Sequence, residues 1–295
     1  MRPLALITGA AGLIGTYLLK TAPRWAPRWD VRGLTRGDVD LIDVERVTDI
    51  YRTLQPQVVI HCAALSRTKD CEQQPETARV VNVAATAHLA TCAKNIPFFF
   101  LSSGEVFDGK KGWYEETDET GPINVYGKTK LEAEQTVLQN PLHTVVRIVL
   151  TAGTSRSRDR SFVEEMSSMA KSGGRLTLFE DEYRCPLPAG VIARALWELL
   201  DCEQPGLYHL GGRDRLSRRE IGESLVRWYP ELTGRLESGT ARTYTGSPRP
   251  VDLSLRCDKI QRLLSFQIPG FLSWLTSRAE AGADLWDYPD DVREA

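Results

Sequence analysis

The stretch Thr8-Gly9-Ala10-Ala11-Gly12-Leu13-Ile14-Gly15 constrains this chain more than any other, because it follows at once on the apolar run Leu4-Ala5-Leu6-Ile7. The run reads as a buried strand, the glycines as a turn, and Leu13 onward as the start of a helix. A strand, a glycine turn and a helix in that order form a device for holding an anion, since free backbone N–H groups and the helix dipole converge at the helix N-terminus. Side chains at Gly9 or Gly12 would block the approach of a diphosphate, and Gly15 lets the helix pack closely on the strand. Leu13, Ile14, Tyr17 and Leu18 supply the apolar bulk around it. The spacing is Gly-x-x-Gly-x-x-Gly, and in this context it reads as dinucleotide binding. The fold class that follows is α/β, a Rossmann-type doubly wound parallel sheet.

A length of 295 residues with 42% apolar content leaves room for more than that sheet. We divide it into a dinucleotide-binding part at 1–150, to which some later segments return, a smaller C-terminal α/β substrate-binding domain at 151–278, and an acidic tail at 279–295. Trp286 and Tyr288 in the tail suggest docking onto its own domain or onto a second subunit, as in a homodimer. A formal net charge of −2 gives none of the basic footprint that a general nucleic-acid binder needs. The six cysteines, Cys62, Cys71, Cys92, Cys185, Cys202 and Cys257, show no Cys-x-x-Cys pair and read as reduced thiols in a cytoplasm, with no metal site. The N-terminal apolar stretch is broken by glycines and lacks a signal-peptide cleavage site. No window has the uninterrupted apolar length of a membrane span.

Residues 30–36 read as the second strand and its exit, where Thr35 and Arg36 favour the 2′-phosphate of NADP over the ribose of NAD. Asp40 and Leu41 follow, placed for the adenine side, ahead of a helix Val44–Leu54. The strand Val58-Val59-Ile60 delivers His61-Cys62 and then Ala63, Ala64 and Leu65, small and apolar candidates under the nicotinamide, at the sheet edge where ligands lie. His61 itself reads as a core histidine. A helix over 75–94 carries Asn82 beside its apolar stripe, either as a structural hydrogen-bonder or as a group that fixes a water. The apolar strand 97–101 brings Ser102, Ser103, Gly104 and Glu105 to the same edge. The acidic residues Glu115, Glu116, Asp118 and Glu119 read as a solvated cluster. Tyr126 and Lys130, four apart, share one face of the helix that opens near Pro122. A free phenol has a pKa of about 10, so an ammonium neighbour that favours the phenolate would make proton exchange with a substrate oxygen practical. Ser103 can hold that oxygen. Arginines in the loop 155–160 and Arg249, stiffened by Pro250, are candidates for a diphosphate, and the segment 183–188 is placed along the substrate cleft.

In their order these parts resemble the extended short-chain dehydrogenase/reductase superfamily. The runs Val106-Phe107-Asp108-Gly109, Glu116-Thr117-Asp118 and Pro122 to Glu134, with Gly206-Leu207-Tyr208-His209-Leu210 and Arg249-Pro250, are similar to the dTDP-4-dehydrorhamnose reductase family. The resemblance implies reduction of a nucleotide-linked 4-keto-6-deoxy sugar by NADPH, with NADH as the alternative. It implies Tyr126 as proton donor, Lys130 lowering its pKa and binding the nicotinamide ribose, and Ser103 polarising the carbonyl. Ser103, Gly104 and Arg249 would meet the sugar nucleotide. Two positions depart from the family pattern: Ser103-Gly104 stands where a Thr-Asp pair is expected, and Leu150 where an aromatic is expected. With no acid at 104, Glu105 reads as a loop carboxylate. Two alternatives stay open: an epimerase of the same superfamily, and a non-catalytic dinucleotide-binding subunit similar to the β subunit associated with methionine adenosyltransferase.

Overall fold

A computed structural model describes residues 2–286. Five strands, β1 (Leu4–Thr8), β2 (Asp30–Leu34), β3 (Val58–His61), β4 (Phe98–Ser103) and β5 (His143–Ile148), join the later strand Gly206–Leu210 in one sheet. All its pairings are parallel, in the order Gly206–Leu210, β5, β4, β3, β1, β2. Leu6 stands between Arg32 on one side and Val59 on the other. The central strands are buried on both faces, which is why their sequences are apolar without alternation. The chain leaves β1 towards β2 and then returns to β3 on the other side. This reversal opens a crevice at the carboxyl ends of β1 and β3, where α/β sheets bind ligands.

Helices cover both faces. Ala5 and Ile7 point into a core shared with α1 (Leu13–Trp25) and the helix Ala189–Cys202, whereas Leu6 points into a second core. The second core takes Val47 of α2 (Val44–Leu54). The helix expected over 75–94 is a composite. A short α3 (Thr68–Gln73) precedes α4 (Pro75–Arg79), one π-helical turn Val80–Ala84, and α5 (Ala85–Cys92). On this same face lies α6 (Val125–Val137), capped by Asn124, whose Oδ1 accepts from Gly127 N at 2.8 Å.

Beyond β5 the chain forms short ladders. Leu176–Phe179 pairs with Leu236–Gly239, and Tyr183–Arg184 with Leu216–Ser217. Capping boxes start the helices Phe162–Lys171 and Arg218–Leu225. Trp286 docks onto its own chain: it is buried, its ring stacks on Phe271 with centroids 6.4 Å apart, and its indole N–H donates to the Tyr229 hydroxyl at 2.7 Å. Tyr288 lies outside the described residues. Among those described, no helix is long and apolar enough to cross a membrane.

Candidate active site

The glycine turn is built by backbone packing against backbone. Gly9 adopts φ +69°, and a Cβ there would fall 2.6 Å from Ala63 N. A Cβ at Gly15 would fall 2.4 Å from Gly9 O. Glycine at 9 and 15 is therefore demanded by the protein's own chain as well as by any ligand. Gly12 is the N-cap of α1, with no capping side chain and no acid in the first turn, so the helix N-terminus offers its N–H groups without an internal anion. Buried Leu13 and Ile14 anchor that turn in the core, and the Ala63 backbone lies against Gly9 just past β3, followed by half-buried Ala64 and Leu65.

At the exit of β2 the Thr35 hydroxyl is spent inside a turn. It donates to Asp38 Oδ2 at 2.7 Å and accepts from Gly37 N at 3.2 Å. The Thr35 hydroxyl is thus engaged within the turn, and Arg36 beside it is exposed. Asp40 is exposed and accepts from Ile42 N at 3.2 Å, while Leu41 packs partly into the core.

The end of β4 turns sharply through Gly104–Val106, with Ser103 Oγ accepting from Glu105 N at 3.2 Å. The start of α6 is pressed against this turn, since a Cβ at Gly127 would lie 2.1 Å from Glu105 O. The contact places Tyr126, the residue before Gly127, at the turn that follows Ser103. One turn on, Lys130 is only 2% exposed, with Nζ 4.0 Å from the centroid of the Phe100 ring.

These surroundings correct the electrostatic expectation. Burial pushes the Tyr126 phenol up, the Glu105 charge adds to this, and only the Ser103 hydrogen bond works against them. Burial also draws the Lys130 ammonium down to about 7, with Glu134 and Cys62 opposing. The phenol is thus held protonated, and the Lys130 ammonium lies over the Phe100 ring. Below this pair, Glu134 is clamped by Arg147 through contacts of 2.7, 3.0 and 3.2 Å, and Arg147 Nη1 lies 3.4 Å from His209 Nε2. His61 is a core histidine between the hydroxyls of Thr8 at 2.6 Å and Thr86 at 3.0 Å, drawn down to about 3 by burial. Asn82 is a structural hydrogen-bonder: it accepts from Leu65 N at 2.8 Å and donates to Leu65 O and Thr129 Oγ1 at 3.0 Å each, which fixes the loop after β3.

At Gly104 the acid is absent, and a Cβ there would fall 2.7 Å from Val149 Cγ1, so that side chain would have to shift to admit one. Glu105, in the turn after β4, is partly buried: its side chain is 19% exposed and Oε2 accepts from Asn124 Nδ2 at 2.7 Å. Nor is the acidic cluster simply solvated: Asp118 pairs with Lys111 at 2.6 Å, and Glu116 accepts from His209 N at 3.0 Å. Glu105 lines a cavity of about 120 Å³ together with Arg184, Tyr244 and Arg249. A cleft of about 530 Å³, lined by Phe179, Arg218, Tyr244 and Arg249, adjoins it. Arg249 is gripped by Glu182 at 2.8 and 2.9 Å, and Arg184 approaches the same carboxylate at 3.1 Å. Burial opposes the Glu182 charge, yet the surrounding arginines 184, 249 and 218 hold its pKa below the usual range. In the loop 155–160, Arg160 pairs with Asp159 at 3.3 Å, and no arginine of that loop lines either space. Arg184 lies within the segment 183–188 already placed along the cleft, whereas sequence reasoning missed Phe179, Glu182, Arg218 and Tyr244; for Glu182 the available signal was its position immediately before that segment.

Comparison with known proteins agrees with this geometry. The family described as the RmlD substrate binding domain matches residues 2–281. The chain is 30% identical over 280 residues to a dTDP-4-dehydrorhamnose reductase of Sinorhizobium fredii, covering 90% of this chain and 93% of that one. It is 32% identical over 275 residues to methionine adenosyltransferase 2 subunit beta of Rattus norvegicus, covering 88% of this chain and 81% of that one. A dTDP-4-dehydrorhamnose reductase of Bacillus anthracis, solved in complex with NADP, superposes with a TM-score of 0.85 at 20% identity, covering 95% of this chain and all of that one. The chain belongs to the RmlD family, within the extended short-chain dehydrogenase/reductases.

Proposed function

We propose that this protein is an NADPH-dependent reductase of a nucleotide-linked 4-keto-6-deoxy sugar. The observation that carries the reading is the Ser103–Tyr126 pair at the carboxyl edge of β4, with Lys130 one turn behind it and the glycine turn across the crevice. The uncapped, acid-free first turn of α1 suits a diphosphate, so the backbone of Gly9, Gly12, Leu13, Ile14 and Gly15 would hold it. Arg36 would meet the 2′-phosphate and Asp40 with Leu41 the adenine, while Ala63, Ala64 and Leu65 would border the nicotinamide and Lys130 its ribose. When bound, NADPH supplies the reducing hydride. Ser103 then donates a hydrogen bond to the sugar carbonyl oxygen. Tyr126, kept protonated by burial, gives that oxygen its proton. Arg249, beside Gly104 and the cleft, would meet the sugar diphosphate, with Phe179 and Tyr244 flanking the base.

In this reading residues 1–150 carry the cofactor and 151–278 the substrate. The six free thiols fit a cytoplasmic setting.

A second reading, a non-catalytic dinucleotide-binding subunit, is favoured by the missing acid at Gly104 and by the likeness to methionine adenosyltransferase 2 subunit beta. The test is loss of NADPH absorbance on adding dTDP-4-keto-6-deoxyglucose. Stoichiometric oxidation supports the reductase. A changed sugar without net oxidation points to an epimerase, and absence of turnover with a stoichiometric enzyme partner in a pull-down points to the subunit.

A further inference from the structure

Resting on the keto-sugar reading, we propose that Glu72 is a positioning residue of this site, one that fixes Tyr126 relative to the cofactor side of the crevice. Reduction of a carbonyl delivers a hydride to its carbon and a proton to its oxygen. The two donors must therefore stand at a set spacing, and a misplacement of about 1 Å can cost about 100-fold in rate. In the reading above the hydride arrives beside the loop after β3, whereas the proton leaves from α6. These segments are distant in sequence, so a noncovalent tie has to set their separation.

Three contacts fix the backbone around Tyr126, and they come from different elements. The Asn124 cap on Gly127 N, at 2.8 Å, is local and travels with α6. The close approach of Gly127 to Glu105 O holds the turn against the end of β4, and so against the strand that carries Ser103. The third comes from α3: Glu72 Oε1 accepts from Val125 N, next to Tyr126, at 2.7 Å. Of the three, Glu72 alone reaches α6 from the β3 side. Its helix is in turn tied to the loop it follows, since Cys71 Sγ donates to Leu65 O at 3.2 Å and Cys71 N to Arg67 O at 3.1 Å. The tie thus runs from Leu65, at the nicotinamide border, through Cys71 and Glu72 to Val125.

The carboxylate is committed to this contact. Among the described residues half-buried Glu72 has no other hydrogen bond and no ion pair. A second tie, through Asn82, joins Leu65 to Thr129 further along α6. Loss of Glu72 would therefore free the first turn of α6 without detaching the helix. Val125 N is one of the donors left without a partner at a helix start, where the helix dipole also favours an anion. A merely stabilising role would be served by any carboxylate near that turn. Positioning needs the acceptor atom at its present reach.

The experiment compares the full chain with Glu72→Asp, Glu72→Gln and Glu72→Ala. It follows single-turnover oxidation of NADPH by dTDP-4-keto-6-deoxyglucose, and amide hydrogen exchange of the peptide 122–130 by mass spectrometry. Glu72→Asp keeps the charge but withdraws the acceptor by one C–C bond, about 1.5 Å. It and Glu72→Ala should react about 10- to 100-fold more slowly, with NADPH affinity preserved. Both should show a larger solvent isotope effect, because proton delivery then limits the rate, and faster exchange at the start of α6. Glu72→Gln loses the charge but keeps the acceptor, and should stay within about threefold of wild type in rate and exchange. A wild-type rate in Glu72→Asp, or a loss in Glu72→Gln equal to that in Glu72→Asp, overturns the proposal. Equal exchange in all four proteins overturns it even where the wild type does not reduce the sugar, whereas absence of wild-type turnover sinks the reductase reading.

Discussion

Replacing Lys130 by Met should make this protein more stable, by an amount that depends on pH in a defined direction. Lys130 is 2% exposed and burial draws its pKa down to about 7, against an ordinary value of about 10.4. Below pH 7 both folded and unfolded chains carry the proton, and the folded state bears the full cost of a buried charge. Between about pH 7 and 10 the unfolded chain holds the proton that the folded chain has lost, so stability rises with pH across that window. Each pH unit of the gap is worth about 1.4 kcal/mol, which bounds the cost near 5 kcal/mol. The Phe100 ring under Nζ at 4.0 Å offsets about 0.5–2 kcal/mol of it. Methionine fills similar volume and carries no charge. Lys130→Met should therefore be more stable than wild type by roughly 3–4 kcal/mol at pH 7 and below, and the advantage should shrink towards pH 10. Urea denaturation of both proteins from pH 6 to 10 measures this. A variant less stable than wild type at pH 7, or an advantage that does not change with pH, would refute the reasoning. The same variant should lose turnover, the pattern of a site that retains a destabilising group for its chemistry.

Gly9→Ala combines left-handed strain with a Cβ 2.6 Å from Ala63 N, and should cost about 2–5 kcal/mol in urea denaturation. Gly12→Ala, whose Cβ meets only Gly9 O at 3.1 Å, should cost under about 1 kcal/mol while weakening nucleotide binding, and the opposite ranking would contradict the backbone-contact explanation. Arg36→Ala should raise the Kd for NADPH about 10- to 100-fold, the worth of a charge-assisted contact, and leave NADH nearly unchanged by fluorescence titration. Equal losses for both nucleotides would remove the phosphate assignment.

Most of the sheet was legible because each strand is a short apolar run bounded by a turn. Helix Val44–Leu54 was legible to the residue, since Asp43 caps it locally by accepting from Arg46 N. The π-helical turn at Val80–Ala84 was not, because apolar periodicity runs straight through it and the contacts of Asn82 with Leu65 and Thr129 are distant in sequence. In the site, the spacing of Tyr126 and Lys130 fixed a shared helix face. It carried no information about Phe100, the ring that Lys130 meets, or about the depth of burial that sets both pKa values. Arg249 was visible as an arginine before a proline, but its partner Glu182 lies 67 positions away. The orientation of Glu105 was not legible because it is set by Asn124 and by the packing of Gly127, neither of which is local to it.

The central claim is that the Tyr126 hydroxyl delivers the proton, and it is tested most directly by Tyr126→Phe. With NADPH and dTDP-4-keto-6-deoxyglucose under single-turnover conditions, the variant should oxidise NADPH at least about 100-fold more slowly than wild type, with NADPH affinity preserved. A Tyr126→Phe protein that turns over at the wild-type rate would contradict it.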